Sequence, residues 1–597
     1  MPPQAADSHE QTRSQVHVME GLPDRAPIWA LSILGAALWW VSQPPLGISF
    51  IAWVAAIPWL IIACREKISR RQWLTFLAVA ILYWMVTMQG IRHAHPAMYA
   101  ALVALAFYLA CYSLLFVWLL RKLVTAHHSR FPFWLSVPLV GTGLECIRNY
   151  LLTGVSAVMI GHTQASHPAL IQIADAFGSY GLTFLVLLVN ACLFESFFGR
   201  EKKSFQRWQP VAFAAMLLLA TLVYGEWRLS QADAMSAEAT SDVNVALIGR
   251  DEEIVFIQNS QRELEIFDSY FRQSLEAATE VAKTGGTLDA IVWPESMFNG
   301  SLPWLLLDKP TNQVNLQTMT SNDTELLSII EENRSQFKRR AAQVQAAIRQ
   351  ATGQANDPHL IVGCSVIRYQ EPPQIHSAIV HVGDRGHVVD WYGKTHLVMF
   401  GEYIPLIDYL PFVSRWVPPG MGIERGSGPM AMAVGELKLS PNICIETAVE
   451  RVTPNHVIEL IRRGEAPDAI VNVTNDGWFD RSSIVEHHLR CSQFVAVASR
   501  RPVLISANGG PTAWIDGSGR VVERLANDEA GSVVANVVAD GRWGLYQTIR
   551  DWPARLTAAF CVWLVVREIF GWLARKARRG LSPACRVSRN TPETKAT

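Results

Sequence analysis

Seven apolar stretches crowd into the first 226 residues of this chain, and an eighth lies near its C-terminus, at 555–574. Their approximate positions are 27–43, 46–64, 73–90, 97–120, 132–151, 168–198 and 209–226. A membrane-crossing helix needs about 20 mainly apolar residues, and a backbone in hydrocarbon must satisfy its own hydrogen bonds. These stretches therefore predict a helical membrane domain of about eight spans. The first two are short and meet at Pro44-Pro45, as a broken hairpin or an interfacial pair would. The fifth carries Glu145 and Arg148, three apart and so able to share one helix face. They read as a pair near the outer membrane surface, touching head groups or bracing the fold. The 27 polar residues at the start lack a signal peptide's apolar core and cleavage site, so the first apolar run should stay as an anchor.

Basic residues favour the cytoplasmic side of a bilayer. Arg65, Lys67, Arg70 and Arg71 follow the second stretch, and Arg121, Lys122 and Arg130 follow the fourth. Arg200, Lys202, Lys203 and Arg207 follow the sixth, and Arg575, Lys576, Arg578 and Arg579 follow the eighth. Between them, 152–167 has no Lys or Arg. This alternation places both termini inside and residues 228–550 outside. The expected division is a cytoplasmic segment 1–26, a multi-span domain 27–227, an outer block 228–550, a C-terminal span 551–575 and a basic, disordered tail 576–597.

The outer block reads as α/β. Short β-branched runs at Val243–Ile248, Ala290–Trp293, His359–Gly363, Ala378–Val382, Ala469–Val473 and Val503–Ser506 predict buried strands, with a further strand at Val521. Helix-like stretches at Gln258–Ala282 and Ser335–Thr352 lie between them. Pro303–Asn322 and Phe412–Gly428 read as long loops, and Trp304–Leu307, Trp416, Val417 and Met421 would suit either contact with lipid or ordinary loop packing. Net charge is zero over 597 residues, so nothing points to nucleic acid. Nine scattered cysteines, without paired Cys or His spacing, indicate neither a zinc site nor a disulfide framework. No cofactor motif is present.

One of those cysteines sits apart. Cys444 lies in Ser440-Pro-Asn-Ile-Cys-Ile-Glu446, with Glu295 ending Val292-Trp-Pro-Glu and Lys394 inside Trp391-Tyr-Gly-Lys-Thr-His-Leu-Val-Met-Phe-Gly-Glu402. A cysteine attacks as thiolate, so it needs a base, and a partly buried carboxylate such as Glu295 can serve. Attack on a carbonyl builds negative charge on oxygen, which an ammonium such as Lys394 can stabilise, with a backbone N–H beside it. Glu402 and Glu446 could hold Lys394 charged or position a second substrate. Each element alone has a bland reading, since a lone Cys in an apolar strand is usually core. Their order, Glu, Lys, Cys, at strand ends is what carries weight.

These segments resemble the carbon–nitrogen hydrolase (nitrilase) superfamily. The whole chain more closely resembles its membrane-bound branch, the apolipoprotein N-acyltransferases. Trp293-Pro-Glu295, Tyr392–Pro405, Ile443-Cys-Ile-Glu446, Asn472–Phe479, Ser506–Gly510 and Leu144–Gly154 carry the resemblance. It implies an α-β-β-α sandwich on a membrane base, in a bacterial cytoplasmic (inner) membrane with the catalytic domain on the periplasmic side. It implies that Cys444 takes an acyl group from a phospholipid as a thioester. The α-amino group of a lipoprotein's S-diacylglyceryl-cysteine then accepts it. Glu295 would be the base, Lys394 the oxyanion partner, and Glu402 and Glu446 supporting acids. The partners implied are the phospholipid donor, diacylated lipoprotein acceptors and the bilayer, with no nucleic acid, no metal, and a monomeric enzyme. The chain departs from the family pattern at Gly249, Ile445, Gln493 and Ala498.

Asp476 and Trp478 read as pocket lining or as a structural turn. His487 and His488 lack partner ligands at metal spacing and are expected to pack a helix, and His396 to be a structural hydrogen-bonder. A membrane-tethered amidase would keep the same three residues but release the acyl group to water. A transporter or receptor with a non-catalytic outer domain would tolerate Cys444→Ser.

Overall fold

The computed structural model describes residues 26–125, 132–199, 204–238, 243–254, 260–298, 302–307, 321–370, 373–399, 401–403 and 422–580. Four helices among them are long and apolar enough to cross a membrane: Met98–Val124, Ser179–Phe198, Gln206–Ala237 and Trp552–Ala577. The expectation of eight spans is corrected accordingly, and the reasons are local. Stretch 46–64 breaks into a 3-10 turn, Ser49–Trp53, and a short helix, Ile57–Ala63. Asn190 caps the break, accepting from the Ala56 N–H and donating to the Ala52 carbonyl, each at 2.9 Å. Stretch 168–198 breaks into Pro168–Ile171, Ala174–Phe177 and Ser179–Phe198, with Gly178 at φ +61° supplying the left-handed link before the long helix. Ile28–Ser42 has only 15 residues. Arg70–Thr87 opens on two arginines, and Phe133–Tyr150 contains Pro138, Glu145 and Arg148.

Glu145 and Arg148 are both buried. Glu145 accepts from the Ile160 N–H at 2.8 Å and from the Thr183 hydroxyl at 2.6 Å, so it braces a turn and a neighbouring helix. Arg148 lies 3.9 Å from Glu145 and stacks on Trp84.

Among the described residues, the block 228–550 contains thirteen strands. In chain order they are β1 (Asn244–Gly249), β2 (Ala290–Trp293), β3 (Trp304–Leu307), β4 (His359–Tyr369), β5 (Gln374–Val382), β6 (Val388–Gly393) and β7 (Met432–Val434). They continue as β8 (Leu437–Ile443), β9 (Ala469–Asn475), β10 (Val503–Asn508), β11 (Ala513–Ile515), β12 (Val521–Arg524) and β13 (Gly531–Asn536). One sheet runs β13-β1-β2-β4-β5-β6, with β3 pairing β4, and the other runs β12-β11-β10-β9-β8-β7. The central strands β1, β2 and β4 are parallel, as are β8, β9 and β10. Their central residues are buried on both faces, as parallel strands require, although Lys438 at the start of β8 is exposed.

Val245, Leu247, Val292 and Ile379 of one sheet meet Leu439, Ile443, Val471 and Leu504 of the other. On the outer face of the first sheet lie helices Ser260–Lys283 and Ser321–Thr352, through Phe267, Tyr270, Phe337, Val344 and Ile348. Val457 of Val452–Arg462 and Leu489 and Val495 of Ser483–Ser499 cover the second. The result is the expected α-β-β-α sandwich. Trp304–Leu307 is not a lipid-facing loop, as the sequence suggested. It is a strand with Trp304 and Leu305 buried, Trp304 packing on Phe337 at 5.3 Å. Trp416, Val417 and Met421 lie outside the described residues.

The two parts are clasped together. Asp175, in the short helix Ala174–Phe177, accepts from Tyr224 at 2.7 Å and from Arg228 at 2.9 Å, both on helix Ser204–Glu238. It also pairs with Arg500 of the outer block, which is fully buried and donates to Gln172 at 2.7 Å. Glu450 hydrogen-bonds His162 and Ser179, and Arg451 donates to the Asn149 carbonyl at 2.9 Å.

Candidate functional site

Three strand ends bring the chemistry together. Glu295 follows β2, Lys394 follows β6, and Cys444 follows β8. β4 backs Glu295 closely. A Cβ on Gly363 would sit 2.3 Å from the Pro294 carbonyl and 2.6 Å from the Glu295 Cα, so only glycine fits there.

Cys444 turns the chain from β8 into the four-residue helix Ile445–Ala448 at φ +49°, ψ −110°. A non-glycine residue pays about 1–3 kcal/mol for such a backbone and keeps it only when its surroundings over-determine it. Here they do. The Cys444 N–H donates to Val473 at 2.9 Å, which leaves it committed to β9 rather than to a substrate oxyanion. The Cys444 carbonyl lies 3.2 Å from the Thr447 N–H, 3.1 Å from the Thr447 hydroxyl and 3.1 Å from His488 Nε2. The sharp strand-to-helix turn places Cys444 at the C-terminal end of β8.

Lys394 is 1% exposed, and its Nζ donates to Glu402 Oε1 at 2.6 Å and to Glu295 Oε1 at 3.3 Å. Glu295 also accepts from the Ser377 hydroxyl at 3.0 Å, and Glu402 from the Val398 N–H at 2.8 Å. Burial opposes the Lys394 charge, but Glu295, Glu402 and Cys444 more than offset it and hold the ammonium charged. Burial raises the Glu295 carboxyl above its ordinary range; Lys394 lowers it and the Glu402 charge raises it further. Burial also pushes the Cys444 thiol up, although Lys394 and a hydrogen bond with Thr474 work the other way. The resting site therefore pairs a protonated thiol with a nearby carboxylate of raised basicity and a fixed cation.

Glu446 lies apart from Lys394's charge network. It accepts from the Tyr392 hydroxyl at 2.9 Å, from the N–H groups of Thr395 at 2.7 Å, His396 at 3.1 Å and Ile443 at 2.8 Å, and from the Thr395 hydroxyl at 2.5 Å. It ties the Lys394 loop to the base of the Cys444 turn.

Asp476 opens the 3-10 turn Asp476–Phe479 after β9, with Trp478 half-buried in it. Asp476 accepts from Thr474 at 2.9 Å and faces His488 Nδ1 at 3.1 Å. The sequence reading assigned His488 to helix packing alone; the fold instead sets it against the Cys444 carbonyl and Thr447 Oγ1, the latter at 2.9 Å. Ser377, Tyr392, Thr395 and Thr474 were also missed. Tyr392, Thr395 and Thr474 lie inside the segments that carry the resemblance but were not singled out, and Ser377 carries no motif and is placed by β5.

Family models match the chain in two blocks: an apolipoprotein N-acyltransferase N-terminal domain over residues 35–192 and a carbon-nitrogen hydrolase over residues 256–542. The apolipoprotein N-acyltransferase of Rhodopirellula baltica is 40% identical over 92% of this chain and 99% of its own length. That of Geobacter metallireducens is 30% identical over 83% of this chain and 86% of its own. The chain belongs to the apolipoprotein N-acyltransferase family. An amidase from Nesterenkonia sp. is a more distant likeness, at 15% identity over 53% of this chain and 97% of that one, with a TM-score of 0.33.

Within the apolipoprotein N-acyltransferase frame, two of the four departures, Gly249 and Gln493, have local reasons. A Cβ at Gly249 would meet Thr512 Oγ1 at 2.3 Å, so no side chain fits the end of β1. Gln493 donates to Gly519 at 2.9 Å and to Ala165 at 3.3 Å, joining the outer block to the membrane part. Ala498 is buried beside that junction. Ile445 is the first residue of the helix after Cys444; nothing in the structure explains its choice over an aromatic residue.

Proposed function

We propose that this member of the apolipoprotein N-acyltransferase family, an acyltransferase, moves a fatty acyl group from a phospholipid to the N-terminal S-diacylglyceryl-cysteine of a lipoprotein. Glu295 takes the Cys444 proton as the sulfur attacks the phospholipid ester carbonyl, and Lys394 faces the oxyanion that forms. The C–O bond breaks, the lysophospholipid alkoxide recovers the proton from Glu295, and a thioester remains on Cys444. The lipoprotein's α-amino group then attacks the thioester carbonyl and gives a proton to Glu295. The C–S bond breaks, the proton returns to sulfur, and an amide leaves. Glu402 keeps Lys394 in place through both steps.

The observation that carries this reading is Lys394 Nζ, buried between Glu402 at 2.6 Å and Glu295 at 3.3 Å and within the electrostatic reach of Cys444. Relatives matching nearly the whole chain carry the acyltransferase name, which favours this reading over a tethered amidase. Both substrates are lipid-anchored, so an enzyme on a membrane base meets them at high local concentration. We assign residues 27–227 and 551–575 to the membrane, residues 228–550 to the outer, periplasmic face of a bacterial inner membrane, and the enzyme to a monomer.

The test is mass spectrometry of the purified protein incubated with phospholipid alone. An acyl mass on the Cys444 peptide, removed by hydroxylamine, is expected. Its absence, with a soluble amide hydrolysed instead, would favour the amidase.

A further inference from the structure

We infer that Asp476 and His488 form a second charged pair at this centre, in which a doubly protonated His488 imidazolium holds the Cys444 peptide and places positive charge beside the nucleophile. The inference rests on Cys444 as nucleophile and adds a positioning residue that the Glu, Lys, Cys order does not contain.

The donors and acceptors around the ring point to its protonation. A neutral imidazole donates from one ring nitrogen and accepts at the other; an imidazolium donates from both. His488 Nδ1 faces the Asp476 carboxylate at 3.1 Å, and Nε2 faces the Cys444 carbonyl at 3.1 Å. Both partners accept only, so a hydrogen on each nitrogen satisfies both contacts at once. Thr447 agrees with this. Its hydroxyl donates to the Cys444 carbonyl at 3.1 Å, which leaves its oxygen, 2.9 Å from Nε2, to accept. Asp476 is itself fixed by the Thr474 hydroxyl, and His488 is buried.

The groups facing the ring come from three elements: Asp476 from the turn after β9, Cys444 and Thr447 from the nucleophile turn, and Glu295 from the end of β2. Burial disfavours the imidazolium, but Asp476, the Cys444 carbonyl and Glu295 favour it and leave the His488 affinity for a proton above the ordinary value. Two effects follow. The carbonyl of a strained residue is gripped by a charge-assisted hydrogen bond, which fixes the direction of Sγ. The same cation offsets the negative charge of Asp476 as the thiol passes its proton to Glu295.

Three variants in the full-length, membrane-extracted protein test this, with single-turnover acylation by a fluorescent phospholipid as the readout. His488→Gln keeps a donor for the Cys444 carbonyl but no charge. It should fold, with a thermal midpoint near the parent's, and form acyl-enzyme about 10- to 100-fold more slowly, the range of a lost charge-assisted bond. The parent's rate should fall at alkaline pH as His488 deprotonates, and His488→Gln should lack that limb. Asp476→Asn keeps the shape but weakens the hold on the proton, so the alkaline limb should move to lower pH. A His488→Gln rate within threefold of the parent, with an unchanged pH profile, overturns the inference. If His488→Gln does not fold, the Asp476→Asn profile decides, and an unmoved limb overturns it. Cys444→Ala run in parallel separates the two readings: acyl-enzyme in that variant would sink the nucleophile itself, whatever His488 does.

Discussion

Glu446 takes two hydrogen bonds from Thr395, one from its N–H at 2.7 Å and one from its hydroxyl at 2.5 Å. The residue after Lys394 is thereby fastened to the second residue after Cys444. Every partner of this carboxylate is a donor. Glu446→Gln would turn an NH2 group toward N–H or O–H groups and leave a buried donor unpaired. A loss of about 1–3 kcal/mol is expected, read as a lower thermal midpoint together with slower acylation. A variant that melts with the parent and acylates normally would remove Glu446 from this role.

Glu295 should set the acid side of the pH profile. Its carboxyl lies above the ordinary range because burial outweighs the help of Lys394. Only the ionised form accepts the thiol proton, so acyl-enzyme formation should rise with pH through the Glu295 transition. Glu295→Gln should flatten that rise and cost about 100- to 10,000-fold. If Glu295→Gln forms acyl-enzyme at the parent rate and fails only in transfer, another group activates Cys444.

Lys394→Met keeps the stem and removes the charge. Acylation should fall about 100- to 1000-fold, the cost of one oxyanion partner. The variant should also move the residual acid limb to higher pH, since Lys394 is the group that lowers the Glu295 carboxyl. A limb that stays in place would mean the two groups are not coupled in solution.

Among the thiols of the outer block, only Cys444 is partly exposed; Cys364 and Cys491 are buried. Cys364→Ala and Cys491→Ala should lose about 0.5–3 kcal/mol of stability but still carry acyl on Cys444. Hydroxylamine-labile label on either of them in the Cys444→Ala protein would reassign the nucleophile.

Reporter fusions test the orientation. A fusion after Glu238 should be active only on the outer side and one after Lys576 only in the cytoplasm. The reverse pattern would place the site away from exported lipoproteins.

Much of the outer block was legible in sequence because parallel buried strands are continuous β-branched runs. β2 was read to the residue, and the start of β4 was found at His359. The strand Trp304–Leu307 was not, because its four apolar residues sit beside a loop-like segment and only pairing with β4 declares them. The spans were overcounted for a similar reason. Hydropathy registers that 46–64 is apolar, but not that Asn190, from a helix far along the chain, satisfies a break within it. Glu295, Lys394 and Cys444 stood out as motifs. His488 did not, since its partners Asp476 and Cys444 are 12 and 44 residues away and belong to different elements.

The Asp175 clasp limits how this enzyme can be handled. Arg500 has no exposed surface, and the carboxylate that neutralises it belongs to the helical bundle. Cutting away the bundle would take from Arg500 its Asp175 and Gln172 partners and from Gln493 and Arg451 their Ala165 and Asn149 carbonyls, and would open that seam to water. The catalytic block is thus not a water-soluble enzyme tethered to an anchor. It cannot be trimmed to a detergent-free fragment, and any purification must keep the bundle and the sandwich together.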